Sequence, residues 1–134
     1  MIQQPKILVV DDDRILCDTL SDFLDSAGYN VTKANDGSAA IKSVEEHTPD
    51  LIITDILMPE KEGISTIVEI HKTNPEIKII AMSGGGYFNR MDILKSANAL
   101  GADATIEKPF DYDEFLELIR KILSPDQDFS NYSI

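Results

Sequence analysis

Asp11-Asp12, Asp55, Ser83 and Lys108 each follow a short apolar run, at residues 6–10, 51–54, 78–82 and 104–107. If these runs are parallel strands of an open sheet, their carboxyl ends meet along one edge, where such sheets bind ligands. The edge would then carry three carboxylates, a hydroxyl and an ammonium. Taken singly, each residue has an ordinary explanation. An aspartate after a strand often caps the next helix, as Asp13 is placed to do, and a lysine before proline is often solvated. The combination is harder to dismiss, because carboxylates about 5 Å apart repel by roughly 3 kcal/mol per pair at an effective dielectric near 20. Asp11, Asp12 and Asp55 bring three negative charges and Lys108 returns one positive, so a divalent cation neutralises the site. All-oxygen ligands with room for water point to Mg²⁺ or Mn²⁺ in preference to zinc. His47 and His71 fall outside these motifs and are read as surface residues.

The elements that must position these groups alternate regularly. Residues 6–10 read as a buried strand, and residues 14–26 as a helix with Ile15, Leu16, Leu20, Phe23 and Leu24 at helical spacing, closed by Gly28. Residues 29–34 alternate as a second strand. Asn35-Asp36-Gly37 opens a helix through Ala39, Ala40, Ile41 and Val44 that ends before Pro49. After the third strand, residues 58–63 read as a loop and 64–72 as a helix; the Asn74-Pro75 break leads to a fourth strand. Gly84-Gly85-Gly86 precedes a helix across 91–100, Gly101 ends it, and 104–107 is the fifth strand. Asp111 caps a last helix with Phe115, Leu116, Ile119 and Ile122 inward. Five strands alternating with five helices predict right-handed βαβ units and a doubly wound α/β fold, its parallel sheet covered on both faces.

At 134 residues the chain forms one domain, expected over 1–123, with 124–134 as a short polar tail and no output domain. The lone Cys17 lies within a helical pattern and has no disulfide partner, which suits a reducing compartment, the cytoplasm. No apolar run approaches membrane-spanning length or a signal-peptide core. A net charge of −12 opposes direct nucleic-acid binding and favours partners with basic patches.

Ile7-Leu8-Val9-Val10-Asp11-Asp12-Asp13, Asp55-Ile56-Leu57-Met58-Pro59, Met82-Ser83-Gly84 and Lys108-Pro109-Phe110, in this order, resemble the response-regulator receiver domain of two-component signalling. The match covers roughly residues 5–123 and implies a flavodoxin-like sheet of order 2-1-3-4-5. It implies Asp55 as phosphoacceptor, a carboxylate nucleophile that takes a phosphoryl group from a phosphohistidine on a sensor kinase or phosphotransfer protein. Asp12 and Asp55 would bind Mg²⁺ directly, Asp11 directly or through water, and the Leu57 carbonyl would complete the protein ligands. Lys108 would stabilise the transferring phosphoryl oxygens, and Ser83 would hydrogen-bond the bound group. Phosphorylation would draw Ser83 inward, a movement that Gly84-Gly85-Gly86 makes easy, and the Lys108-Pro109 bond would be cis.

Thr105 stands where receivers commonly carry a switch aromatic, and Tyr87 or Phe88 is a candidate substitute. The partner surface is still expected to include the helix across 91–100. Leu57 and Gly85 occupy the positions that tune acyl-phosphate lifetime, and neither side chain can orient water, so slow to intermediate self-dephosphorylation is expected. The main reading is a stand-alone receiver that acts by binding a downstream protein or by passing phosphate on in a phosphorelay, and is not otherwise an enzyme. One alternative is a pseudo-receiver scaffold, against which the complete acidic set, Ser83 and Lys108 argue. Another is an aspartyl phosphatase of the haloacid-dehalogenase type, which needs a further acidic pair at a strand end. After Lys108 only Asp111, Asp113 and Glu114 follow, at a helix start. The glycine run has the wrong spacing for a nucleotide motif, and three aspartates would repel a flavin phosphate.

Overall fold

The computed structural model describes residues 4–56, 62–84 and 101–124. In chain order the described elements are β1 (Lys6–Val10), α1 (Arg14–Ser26), β2 (Asn30–Ala34), α2 (Gly37–Glu46), β3 (Leu51–Asp55), α3 (Glu62–Thr73), β4 (Lys78–Gly84), β5 (Ala104–Lys108) and α4 (Tyr112–Leu123). All strand pairs are parallel and the sheet order is β2-β1-β3-β4-β5. This is the expected doubly wound α/β fold; the helix expected across 91–100 lies outside the described residues.

Side-chain alternation divides the core into two layers. On one face Ile7, Val9, Ile53, Ile80 and Met82 pack against Cys17, Leu20 and Leu24 of α1 and Phe115 and Ile119 of α4. On the other, Leu8, Val10 and Ile52 meet Ala40 and Val44 of α2 and Ile70 of α3, and Ile79 and Ala81 meet Ile67. The middle strands are buried on both sides, which is why they read as unbroken apolar runs.

Helix starts follow the expected chemistry. Asp13 accepts from the Leu16 N–H, Asp36 from the Ala39 N–H, and Asp111 from the Asp113 and Glu114 N–H groups. Gly28 and Gly101 hold positive φ, at 102° and 93°.

Four details differ from the sequence reading. Ile15 is 80% exposed, because the inward stripe of α1 runs through Cys17, Leu20, Ser21 and Leu24, and Ile15 falls outside it. On α4, the half-buried Leu118 and Ile122 pack against the core cluster, whereas the likewise half-buried Leu116 is not part of it. β4 continues past Met82, because β5 supplies partners as far as Ser83↔Glu107 and Gly84↔Lys108. His71 is half-buried, its Nδ1 has no hydrogen-bond partner, and its ring lies against Gly101.

Candidate functional site

Register places the acidic residues before any side-chain contact is considered. Val10 pairs with Thr54, which sets Asp11 level with Asp55, and Asp55 pairs with Met82. Asp11 continues the row Ile7-Val9, Asp55 the row Leu51-Ile53, and Lys108 the row Ala104-Ile106. Alternation therefore sends all three side chains to the α1/α4 face, just beyond the apolar layer.

The main chain at Asp11 is held from both sides: its N–H donates to the Ala34 carbonyl at 3.1 Å, and the Asn35 Nδ2 donates to its carbonyl at 2.9 Å. Its carboxylate is also fully engaged. Oδ1 accepts from the Asp13 N–H at 2.9 Å and Oδ2 from Lys108 Nζ at 2.9 Å. Lys108 Nζ donates equally to Asp55 Oδ2, at 3.0 Å, so one ammonium bridges the two carboxylates. The Lys108-Pro109 peptide bond is cis.

Asp11 and Asp55 are buried and Asp12 is exposed. One carboxylate oxygen from each of the three lies within 4.8 Å of the others, a spacing and an all-oxygen donor set that fit a hard divalent cation. Burial pushes the Asp11 carboxyl above its ordinary value, and this outweighs the opposing pull of Lys108 and the Asp13 N–H. Burial acts on Lys108 in the opposite sense, but its hydrogen bonds and charge contacts with Asp11 and Asp55 prevail and hold it above the ordinary lysine value. The ammonium is therefore charged throughout the neutral range.

Ser83 is buried in β4, on the row of Ile79 and Ala81, which alternation directs to the opposite face from Met82. Thr105 is half-buried in β5 opposite Ala81. Leu57, Gly85, Tyr87 and Phe88 lie outside the described residues, and Gly84 closes β4. Cys17 is buried with Sγ 3.8 Å from the Val9 carbonyl; burial, then the nearby Asp11 charge, raises its thiol pKa. What sequence reasoning missed is the bridging of Asp11 and Asp55 by Lys108. Only the common side-chain parity of these three strand ends hints at it.

A five-stranded parallel sheet with an acidic cluster and a lysine at the carboxyl ends of its strands defines a receiver-type α/β domain. Comparison with known proteins agrees: the family model for the response regulator receiver domain matches residues 7–120, and the chain belongs to that family. Among curated relatives, the transcriptional regulatory protein CpxR of Klebsiella pneumoniae is 39% identical over 118 residues, covering 88% of this chain and 49% of the relative. ZraR of Escherichia coli is 36% identical over 118 residues, covering 88% of this chain and 26% of its own length. The chain thus spans about half or a quarter of these relatives. Among solved structures, a CheY-like receiver domain protein from Methanospirillum hungatei superposes with a TM-score of 0.83 at 30% identity, covering 92% of this chain and 96% of that one. NtrX of Brucella abortus gives 0.84 at 29% identity, covering 92% and 28% respectively. Among the described residues, no helix is long and apolar enough to cross a membrane.

Proposed function

We propose that this receiver domain is a phosphorylation-driven signalling element in which Asp55 accepts a phosphoryl group from a phosphohistidine of a sensor kinase or phosphotransfer protein. The single observation that carries this reading is the Lys108 ammonium, 3.0 Å from Asp55 and 2.9 Å from Asp11, beside a carboxylate group able to hold a cation.

An Asp55 carboxylate oxygen attacks the phosphorus, a P–O bond forms, and the P–N bond to the donor imidazole breaks with its electron pair leaving on nitrogen. Lys108 stands beside the attacking carboxylate, where its charge stabilises the equatorial oxygens of the transferring group. Asp12 and Asp55, with Asp11 directly or through water, would hold Mg²⁺ or Mn²⁺. Bound there, the ion supplies charge neutralisation that the lysine alone cannot. Asp11, held at both carboxylate oxygens, keeps Lys108 in place.

Phosphorylation draws Ser83, which β4 otherwise turns to the opposite face of the sheet from Asp55, inward with the glycine run that follows it, and the switch reaches a partner-binding face without an aromatic at Thr105. The message ends on a downstream protein or passes to a further histidine. Slow to intermediate self-hydrolysis of the acyl phosphate follows from positions 57 and 85, where leucine and glycine offer no group to orient water, and beyond self-phosphorylation the domain is not an enzyme. The transcriptional roles in the relatives' names belong to longer chains, of which the match spans 49% and 26%.

Incubation with acetyl phosphate or a beryllofluoride mimic, with and without Mg²⁺, tests the reading. Mg²⁺-dependent modification lost in Asp55→Ala supports it. Modification that persists in Asp55→Ala and disappears in Asp11→Ala points to aspartyl-phosphatase chemistry, and no modification at all points to a pseudo-receiver scaffold.

A further inference from the structure

A groove at the opposite end of the sheet collects hydrogen-bond donors that the acidic site does not use. Register sets Lys6 beside Asn30 and Leu8 beside Thr32, and alternation turns this row toward α2, the face of Leu8, Val10 and Ala34. Helix α2 buries Ala40 and Val44 and brings Ser43 and His47, one turn apart, over the same strands. This open surface groove has a volume of about 290 Å³; the buried Pro49 lines it, and its Lys6, Asn30, Thr32 and His47 are exposed. It lies roughly 16 Å from Asp11, the length of β1.

Two features set this groove apart. Its polar side chains are an ammonium, an imidazole, two hydroxyls and an amide, and among the described residues no carboxylate lines it, although the chain has 24 acidic residues. Among the described residues, none of the Lys6, Asn30, Thr32, Ser43 and His47 side chains has a hydrogen bond or ion pair of its own. Asp50, next to Pro49, accepts the Lys6 backbone N–H at 2.8 Å and lines, with Gln4, Thr48 and Leu123, an adjoining cleft that shares Lys6 with the groove.

Lysine, serine, threonine and asparagine side chains are the usual protein donors to phosphate oxygens, and a tetrahedral oxyanion needs donors arriving from several directions. We propose that this groove is a second ligand site, distinct from the Asp55 pocket, for a small phosphate monoester or free phosphate, with Lys6 as its charged anchor and Ser43, Thr32 and Asn30 as neutral donors. Its volume admits a compound of a few heavy atoms beyond the phosphate. The net charge of −12 opposes a polyanion such as nucleic acid.

The test is a ¹H–¹⁵N titration of the full chain in EDTA, which keeps a cation from drawing phosphate to Asp55, with inorganic phosphate, glycerol 3-phosphate and sodium chloride at matched ionic strength. Saturable shifts at Asn30, Thr32, Ser43 and His47 are expected, weakened about tenfold in Lys6→Met through loss of one charge-assisted bond. The helix-surface variant Ser43→Ala should weaken binding while leaving the rest of the spectrum unchanged. Tighter binding of glycerol 3-phosphate assigns the site to a monoester; equal binding assigns it to free phosphate. Shifts that match the chloride control, centre on Asp12 and Asp55, or persist unchanged in both variants overturn the proposal.

Discussion

Lys108 and Asp55, 53 residues apart in sequence, meet at 3.0 Å, and the same ammonium reaches Asp11 at 2.9 Å. Without a cation, this lysine is what separates two buried carboxylates in electrostatic terms. Lys108→Met should therefore destabilise the metal-free protein by about 2 kcal/mol, less than for a fully buried pair because Lys108 keeps partial access to water. Urea unfolding in EDTA measures this, and saturating Mg²⁺ should recover part of the loss. An unchanged midpoint would show that the bridge is not what neutralises the pair.

The pH dependence has a definite sign for each partner. Lys108 is held above its ordinary value of 10.5, so its contribution is full below that value and is lost as pH rises through the folded-state one. An alkaline loss of stability, absent in Lys108→Met, is expected above about pH 10. Asp11 is also raised, from 3.8, chiefly by burial, so its stabilising effect is full below that value and gone once pH has risen through the folded-state one. The raised Asp11 thus costs stability at neutral pH, so its contribution in EDTA should grow as pH falls toward the folded-state value, and Asp11→Ala should lose that dependence. Urea unfolding across this range measures it; a dependence of the same size in Asp11→Ala contradicts the assignment.

Gly101 enters β5 at φ 93°, and a Cβ there would lie 2.7 Å from the His71 ring. Gly101→Ala should cost about 2 kcal/mol, combining backbone strain with displacement of the ring. Adding His71→Ala should return the steric part and leave the strain, so thermal or urea unfolding of the two single variants and the double variant should show non-additive effects.

Ile15, 80% exposed in the first turn of α1 and two residues beyond Asp13, offers an apolar contact beside the acidic site. If a phosphodonor protein docks there, Ile15→Ser slows transfer from that protein by about tenfold, equivalent to losing one buried apolar side chain, and leaves acetyl phosphate labelling unchanged. Equal slowing with both donors would place the effect in the site itself.

Much of this architecture is legible in the sequence because strand ends and helix caps are local. The bounds of β1 and α1 follow from an apolar run, an aspartate cap and a glycine stop, and Asp11, Asp55 and Lys108 are visible as polar residues closing apolar strands. The cis bond before Pro109 is legible only through family resemblance. What depends on tertiary packing is hidden: that α1 turns Ile15 to solvent, that β5 draws β4 on to Gly84, and that His71 covers Gly101. The lysine bridge between Asp11 and Asp55 is hidden for the same reason, since it joins three strand ends through side-chain parity.

The most direct test of the central claim is to identify the modified atom. After reaction with a low-molecular-weight phosphodonor, borohydride reduction converts an aspartyl phosphate to homoserine, which peptide mass spectrometry locates. Homoserine at position 55, formed only with Mg²⁺ or Mn²⁺ present and absent in Asp55→Ala, is the predicted result. Homoserine at position 11 or 12, or none under any condition, would contradict phosphoryl acceptance by Asp55.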